Sequence, residues 1–247
     1  MRALGRMAFL GSMLVAAHPA AAASDLVADL SNHLVAITTG FTGTKVLLFG
    51  ATRGAGDVVV LVRGPRNRQL VRRKDRIAGI WINNAEMTFQ GVPAFYRVAS
   101  SRPLADLVPP AVAARHQIGI KNVRLAAPEG ADADETRAFR DALVRNKQRN
   151  ELYGKAPGTI VFLGNRLFRT DLYFPANAPV GTYEVQVLLF RGGEVASASM
   201  TPLTVSRIGF EAGVFDFAHR HALAYGVLAV LIAVVAGWLA GIIFRNK

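Results

Sequence analysis

The longest apolar stretch of the chain is at its C-terminal end, where residues 222–244 form a run of 23 positions without a charged side chain. As an α-helix this run would be about 34 Å long, enough to cross the ~30 Å hydrocarbon core of a bilayer. Tyr225 and Trp238 suit the two headgroup regions, and the basic tail at residues 245–247 favours a cytoplasmic C-terminus. The pattern predicts a single transmembrane helix, with a buried helix of a globular core as the alternative.

The start of the chain, residues 1–23, has the layout of a secretory signal peptide. Arg2 and Arg6 precede an apolar run at residues 7–17, and small residues then form candidate A-x-A cleavage sites. An uncleaved N-terminal anchor is the alternative, because glycine and serine dilute the apolar run. Together with the C-terminal helix, the leader predicts that residues 24 to about 220 lie outside the cytoplasm.

Between the two ends, short apolar runs rich in branched residues alternate with glycine-containing turns, which is typical of β-strands. The runs occupy residues 34–39, 45–49, 57–63, 77–82, 87–89, 94–98, 159–163, 167–174, 181–191, 194–200 and 203–205. Residues 58–62 are apolar at every position, which predicts a central strand that is covered on both faces. The pattern predicts a β-domain at residues 24–206, followed by a linker at residues 207–221.

The strand pattern is interrupted at about residues 101–157, where prolines separate short segments that suit helical turns. Residues 133–152 then predict one longer helix, in which Asp132 and Glu135 resemble an N-terminal capping box. The helix has a narrow apolar stripe, which predicts packing by one face only. The stripe consists of Phe139, Ala142, Leu143 and Asn146. We therefore expect a helical insertion within the β-domain.

The last strands of the β-domain carry the pattern of an immunoglobulin-like sandwich. Pro179 and Tyr183 belong to a P-x-G-T-Y corner, which precedes an alternating strand, a hairpin turn at residues 192–193 and a last strand. The Cys–Trp–Cys core of antibody domains is absent from the sequence, so the likeness is to the architecture. The predicted fold class is mainly β: an immunoglobulin-like β-sandwich with a helical insertion and a C-terminal transmembrane helix.

The chain is strongly basic. Its formal charge is +12, and removal of Arg2 and Arg6 with the leader leaves 27 basic against 17 acidic side chains, or +10. Outside the cytoplasm such a surface meets lipid headgroups, polysaccharides and small anions, so we expect no nucleic-acid partner. The densest basic segment contains Arg66, Arg68, Arg72, Arg73, Lys74 and Arg76. It predicts either an edge strand protected by charge or a contact to an anion or headgroup.

An aromatic residue follows the basic segment. Trp81 is most simply a core residue, and an exposed anchor for a partner is the alternative.

The sequence offers few groups for catalysis or metal binding. It has no cysteine, which excludes disulfides, thiol catalysis and zinc–thiolate sites. The motifs G-x-S-x-G, H-E-x-x-H and S-x-x-K do not occur in it. His219 and His221 are two residues apart, which is a weak signal for a metal site. We expect a protein that is not an enzyme and that uses neither a metal nor a cofactor.

Small residues recur every four positions along the C-terminal helix and would let another helix approach closely. They are Ala229, Ala233, Gly237 and Gly241. This stripe predicts packing against a helix of a membrane-protein partner or of a second copy, with an accidental order as the alternative. Phe210 and Phe217 in the linker suit a short helix at the water–lipid boundary, so membrane lipid is an expected contact as well.

The leader, residues 34–65, the corner at residues 179–183 and the terminal helix together resemble the alphaproteobacterial putative transmembrane protein family, over nearly the whole chain. The resemblance implies an exported domain with a C-terminal anchor in the inner membrane. It also implies an accessory role in transport, because members are often encoded beside a sulfite-exporter-like anion permease. It implies no residue roles.

We therefore expect a single-pass inner-membrane protein with a periplasmic interaction domain, an accessory subunit of a membrane partner such as that permease. Periplasmic binding of an anion or an anionic surface by residues 66–76 is the alternative.

The predicted topology can be tested with reporter fusions. A reporter that is active only in the periplasm should be active when fused after Arg207, because the leader exports this part of the chain. A reporter that is active only in the cytoplasm should be active when fused after Lys247. A periplasmic location of Lys247 would contradict the predicted orientation.

Overall fold

The computed structural model describes residues 25–77, 79–208 and 217–245, so that the predicted signal peptide, Phe210 and residues 246–247 lie outside the described ranges. The strands are β1 (Leu26–Leu30), β2 (Leu34–Ile37), β3 (Gly43–Thr52), β4 (Asp57–Arg63), β5 (Arg66–Ile77), β6 (Ile80–Pro93), β7 (Tyr96–Ser100), β8 (Gly158–Thr159), β9 (Val161–Leu163), β10 (Leu167–Pro175), β11 (Gly181–Arg191) and β12 (Glu194–Arg207). The helices include α1 (Leu104–Leu107), α2 (Pro110–His116), a 3-10 turn (Ile120–Asn122), α3 (Ala133–Arg149) and α4 (Ala222–Arg245).

The strands form two large sheets and one separate hairpin. Sheet A has the order β1-β3-β10-β9 and is antiparallel throughout. Sheet B has the order β2-β12-β11-β4-β7-β8, in which β2 is parallel to β12 and β8 is parallel to β7. Strands β5 and β6 form a separate two-stranded sheet, which we call the ribbon, and Gln90 of β6 makes one further bridge to Ala126 of the insertion. The prediction of a mainly β chain with a C-terminal apolar helix is confirmed.

The two sheets pack face to face through one apolar core, to which alternate residues of the central strands contribute. Sheet B supplies Val58, Val60, Val62, Tyr183, Val185, Val187 and Leu189 to this core. Sheet A supplies Leu26, Leu30, Val46, Leu48, Phe168, Leu172 and Phe174. Because successive side chains of a strand point to opposite faces, the remaining residues of β4 and β11 face away from this core.

The opposite face of sheet B is also buried. Val59 and Leu61 of β4 are fully buried in a second core, together with Leu188 and Phe190 of β11. The helical insertion covers this face, and Val112 of α2 lies in the same core. Strand β4 is therefore covered on both faces, as the apolar run predicts.

Helix α3 begins where the sequence predicts. The Asp132 carboxylate accepts hydrogen bonds from the backbone N–H groups of Asp134 (3.0 Å) and Glu135 (2.9 Å), which caps the first turn. The helix ends at Arg149, three residues before the predicted end, and Glu151 then adopts a left-handed conformation with φ 59°.

The buried stripe of α3 differs from the prediction at its C-terminal end. Phe139 and Leu143 are buried as predicted, but the next buried residue is Lys147, and Asn146 is exposed. Steps of four residues keep Lys147 on the line of Phe139 and Leu143, whereas Asn146 turns toward solvent. The aliphatic stem of lysine can cover apolar surface, so a basic residue occupies a stripe position.

The prediction of one strand at residues 77–82 is wrong. Ile77 pairs with Ile80, so the chain reverses direction between them, and Gly79 has a φ of +83° that suits a tight turn. Trp81 is 66% exposed, which excludes the core position that was the simpler interpretation. The apolar sequence of this segment resembles a strand, but it forms the end of a hairpin.

The sheet order supports the immunoglobulin-like interpretation, which stays a prediction. If β1, β3, β10 and β9 correspond to strands A, B, E and D, and β12, β11 and β4 to G, F and C, the order is that of an immunoglobulin-type sandwich. The fully buried Tyr183 donates a hydrogen bond to the backbone oxygen of Pro179 (2.6 Å), the contact that a tyrosine corner requires. Burial raises the pKa of this phenol above its usual value, so its hydroxyl stays protonated.

Helix α4 is apolar on all sides. Within the described residues it is the one helix long and apolar enough to cross a membrane, over Ala222–Ile242 with a mean hydropathy of 2.4. Its side chains from residue 222 to 242 are exposed, as expected for a helix whose solvent is lipid.

The hydrogen bond between Tyr183 and Pro179 contributes measurably to the stability of the domain. Tyr183→Phe should lower the free energy of unfolding by about 1 kcal/mol, because it removes one hydrogen bond. Tyr183→Ala should lower it by about 3–5 kcal/mol, because it also removes the ring from the core.

Denaturant unfolding of the domain before the membrane helix measures both effects. Tyr173→Phe is the control, since the Tyr173 hydroxyl makes no hydrogen bond within the described residues. Equal stability of Tyr183→Phe and wild type would contradict the corner interpretation.

Candidate interaction surfaces

The ribbon grows directly out of the central strand of sheet B. Only Gly64 and Pro65 separate β4 from β5, and the backbone N–H of Gly64 donates to the oxygen of Phe95 (2.8 Å). A Cβ at Gly64 would lie 2.8 Å from the Cβ of Phe95, so a larger residue does not fit between the two chain segments. The base of the ribbon is therefore fixed to the sandwich.

The half of the ribbon nearest the sandwich packs against α3. Met87, Phe89 and Val92 of β6 form a third buried cluster with Phe139 and Leu143 of α3. This cluster fixes one face of the near half.

The far half of the ribbon, beyond the α3 cluster, is exposed. The guanidinium of Arg73 lies 6.0 Å from the centre of the Phe139 ring, at the outer end of the α3 contact. Ile80 and Trp81 are 68% and 66% exposed, and Ile82 is exposed as well. The last four residue pairs, from Lys74 with Asn83 to Ile77 with Ile80, extend the hairpin by roughly 14 Å.

The six predicted anion-contact residues all lie exposed on the ribbon, but in two groups. Arg66 and Arg68 lie at the base, where Arg68 is next to the Gln90 side chain. The group nearer the tip contains Arg72, Arg73, Lys74 and Arg76. The structure therefore does not gather all six side chains into one anion pocket.

Two carboxylates lie among these cations. Arg72 Nε is 3.1 Å from Glu86 Oε2, and Arg73 Nε is 3.4 Å from Asp75 Oδ2. These pairs are exposed and contribute little to stability. Six basic and two acidic side chains give residues 66–93 a net charge of +4.

The outer face of sheet A presents an apolar surface that the sequence patterns did not reveal. One row of paired residues crosses all four strands and is apolar throughout: Val27, Ala51, Leu167 and Leu163. The adjacent row contains Asp29, Phe49, Arg169 and Val161, and Leu47 follows Phe49 on the same face. We call Val27, Leu47, Phe49, Val161, Leu163 and Leu167 the outer patch.

The outer patch is open to solvent. Val27, Phe49 and Leu167 are 62%, 45% and 55% exposed, and a shallow depression of about 440 Å³ lies over the patch. Asp29 and Arg169 flank Phe49 on neighbouring strands, and Arg169 separates Phe49 from Val161 in this row. Exposed apolar side chains next to charged ones are the composition of a protein–protein contact surface.

A cleft of about 610 Å³ lies between the helical layer and β7. Tyr96 donates its hydroxyl proton to the backbone oxygen of Gln117 (2.6 Å), and burial raises the pKa of Tyr96 to about 12. Its hydroxyl therefore stays a donor at physiological pH and holds the helical layer in place.

Two partly buried arginine side chains also hold structural elements together. Arg97 lies 5.5 Å from the ring centres of both Phe95 and Tyr173. Arg63 donates to the side-chain oxygen of Gln186 (2.9 Å) and to the backbone oxygen of His116 (2.6 Å). Burial lowers the pKa values of Arg63 and Arg97 from their ordinary value, although both start so high that the side chains stay charged. These two cations are committed to internal contacts.

The predicted contact residues of the anchor are exposed. A Cβ at Gly237 or Gly241 would meet no atom within 4 Å, so the small-residue stripe is unoccupied within the described chain. Tyr225, Trp238 and Phe217 are exposed, and Phe210 lies outside the described residues. The stripe Ala229, Ala233, Gly237 and Gly241 forms one face of α4 at this spacing.

The histidine pair of the linker was the candidate metal site. Within residues 25–77, 79–208 and 217–245, no three histidine, aspartate or glutamate side chains come together at a distance that suits a metal ion. His221 lies beside Phe217, with 5.7 Å between the ring centres.

Comparison with known protein families identifies the family of the chain. It matches the family described as Putative transmembrane protein (Alph_Pro_TM), alphaproteobacterial by name, over residues 25–246. The chain belongs to this family. The resemblance that the sequence suggested is confirmed, and this Alph_Pro_TM member carries one candidate membrane span at its C-terminal end. A comparison with curated proteins finds no match.

The support of the ribbon by α3 can be tested by removing one buried ring. Phe139→Ala should lower the free energy of opening of the ribbon by about 3 kcal/mol, because the ring packs against the β6 cluster. Hydrogen exchange of the β5 and β6 amides measures this local opening.

Arg137→Ala on the exposed side of α3 is the matched control and should leave the exchange rates unchanged. Wild-type protection of the ribbon in Phe139→Ala would show that α3 does not hold it.

Proposed function

We propose that the protein is a single-pass inner-membrane protein whose periplasmic domain acts as an interaction module, as an accessory subunit of a second membrane protein. The observation that carries this proposal is the outer patch of sheet A. Its row of four apolar residues crosses every strand of the sheet, and three of them, Val27, Leu163 and Leu167, are exposed in the described part of the chain. We assign the protein a binding role rather than a catalytic one.

The outer patch is costly to leave in water. Covering these apolar side chains with a partner is favourable, by roughly 25 cal/mol per Å² of surface removed from water. Scattered exposed apolar residues are ordinary on protein surfaces, but a contiguous apolar row is typical of a binding surface. Phe49 lies at its centre between Asp29 and Arg169, so it is the expected anchor residue.

The membrane anchor favours a partner in the same bilayer. Thirteen residues separate Ile208 at the end of the domain from Ala222 at the start of α4, so these two residues are at most about 50 Å apart when the segment is extended. This tether keeps the outer patch within reach of other membrane proteins and raises their effective concentration. The exposed small-residue stripe of α4 offers a second contact to the same partner.

The resemblance to the family suggests which partner to examine first. An anion permease of the sulfite-exporter type is the candidate, and a homodimer through α4 is the other arrangement that the small-residue stripe allows. The basic ribbon supports no separate function as a receptor for small anions, because its cations lie in two groups on an open hairpin.

Purification from detergent-solubilised membranes tests the role of the outer patch. Phe49→Asp places a charge at the centre of the patch and should reduce the yield of a co-purified membrane protein by at least about tenfold. Met200→Asp is the matched control, because Met200 is an exposed apolar residue of sheet B outside the patch. An equal yield of the partner with both variants would contradict the proposed contact.

The role of α4 is tested with paired substitutions that keep the helix apolar. Changing Gly237 and Gly241 to leucine should separate the packed backbones and reduce co-purification, because close approach requires small residues. Changing Val230 and Val234 to leucine on another face is the control and should leave the yield unchanged. Recovery of cross-linked homodimers instead of a second protein would identify a second copy as the occupant. Wild-type behaviour of both pairs would leave α4 as an anchor only.

A further inference from the structure

The ribbon and the path to the membrane helix start at the same end of the sandwich. Arg63, the last residue of β4, pairs with Glu184, and Glu184 pairs with Pro202 on the other side. Strands β4 and β12 therefore run in the same direction, and β12 ends at Arg207 shortly beyond this level. A Cβ at Gly181 would lie 3.0 Å from Cγ of Pro65, so the ribbon base abuts the start of β11 at this end.

The tip of the ribbon is an exposed apolar group without a covering layer in the described chain. Ile80, Trp81 and Ile82 are consecutive and all exposed. This arrangement is unfavourable in water, because three large apolar side chains remain exposed to the solvent. Tryptophan prefers the headgroup region of a bilayer, where its ring is in a partly apolar environment and its N–H finds acceptors.

Two cations share the face of the hairpin that carries Trp81, whereas Ile80 and Ile82 lie on the opposite face. Arg76 pairs directly with Trp81, and Lys74 pairs with Asn83 one step further from the tip. Arg76 Nε donates to the backbone oxygen of Gly79 (3.2 Å). Within the described residues, neither Lys74 nor Arg76 forms an ion pair with a carboxylate.

The two carboxylates of the ribbon have other partners. Asp75 lies near Arg73 and accepts a hydrogen bond from Asn84, and Glu86 accepts one from Arg72. Lys74 and Arg76 therefore remain available to anions outside the chain.

From this arrangement we infer that the ribbon tip, residues 74–77 and 79–84, docks into the headgroup layer of an anionic phospholipid surface. Ile80 and Trp81 enter the boundary between headgroups and acyl chains, and Lys74 and Arg76 contact lipid phosphates. The lipid surface is that of the membrane in which α4 is anchored, so the domain is attached to the bilayer at two points. This contact is independent of the outer patch, which lies on sheet A.

The test uses the full chain with Trp238→Phe, which leaves Trp81 as its only tryptophan. The protein is reconstituted into vesicles of phosphatidylcholine alone or of phosphatidylcholine with an equal amount of phosphatidylglycerol. A small fraction of lipid brominated near the start of the acyl chains quenches tryptophan at that depth. We expect strong quenching of Trp81 in the anionic vesicles and weaker quenching in the zwitterionic ones, with a reduction by added salt.

Two double variants distinguish contacts made by the ribbon tip from a general electrostatic attraction between the basic chain and the anionic vesicles. Lys74→Gln with Arg76→Gln should shift the docking equilibrium by about fivefold for each cation removed. Arg66→Gln with Arg68→Gln removes the same charge from the base of the ribbon and should have a clearly smaller effect. Both pairs are exposed, and far-UV circular dichroism confirms that each variant is folded.

Three results would overturn the inference. One is the absence of Trp81 quenching in both vesicle types. A second is quenching of Trp81 that is equal in both vesicle types and is unchanged by the substitutions at Lys74 and Arg76. The third is shielding of Trp81 in native membranes but not in pure lipid vesicles, which would identify a protein as the occupant of the tip.

Discussion

The burial of β4 on both faces is the constraint on which the rest of the structure depends. Residues 58–62 have no polar side chain, so neither face of this strand tolerates water. Sheet A covers one face and the helical insertion covers the other. The insertion is thus part of the core and not an appendage. Tyr96 and Arg63 reinforce the second contact through hydrogen bonds to the backbone of residues 116 and 117.

The same constraint determines which surfaces remain for binding. Sheet B is largely enclosed between two layers, whereas the described part of the chain covers sheet A only on its inner side. The outer patch is the consequence, because strands β1, β3, β9 and β10 carry apolar residues on the uncovered face as well. The β4–β7 hairpin continues beyond the sandwich as the ribbon, and α3 supports only its near half. The two exposed apolar groups therefore lie at places that the layered core leaves open.

Much of the fold is predictable because its strongest patterns are local. The bounds of β4 and β11 agree with the sequence prediction, since an all-apolar run and a clean alternation each extend to a glycine-containing turn. The start of α3 agrees because Asp132 caps it through contacts within three residues. The predicted core position of Trp81 is wrong because the exposure of this residue depends on parts of the chain that are distant in sequence. Helix α3 does not reach the ribbon tip, so Trp81 stays exposed.

The outer patch was missed for the same kind of reason. Its rows join residues as distant in sequence as Val27 and Leu163, and no strand was predicted at β1. A strand with apolar residues on both faces resembles a buried strand, so Leu47 and Phe49 gave no sign of an open face. The six basic residues were visible in the sequence, but their division between the base and the tip of a hairpin depends on the pairing of β5 with β6.

Site-specific photo-cross-linking in native membranes tests the central claim, that the outer patch binds a protein and the ribbon tip binds lipid. A photoreactive phenylalanine analogue is placed at position 49, at position 81 or, as a control, at the exposed Glu194, the first residue of β12. Position 49 should give one discrete adduct with a protein, position 81 should give adducts with phospholipid, and Glu194 should give neither. A discrete protein adduct at position 81, or none at position 49, would contradict this assignment of the two surfaces.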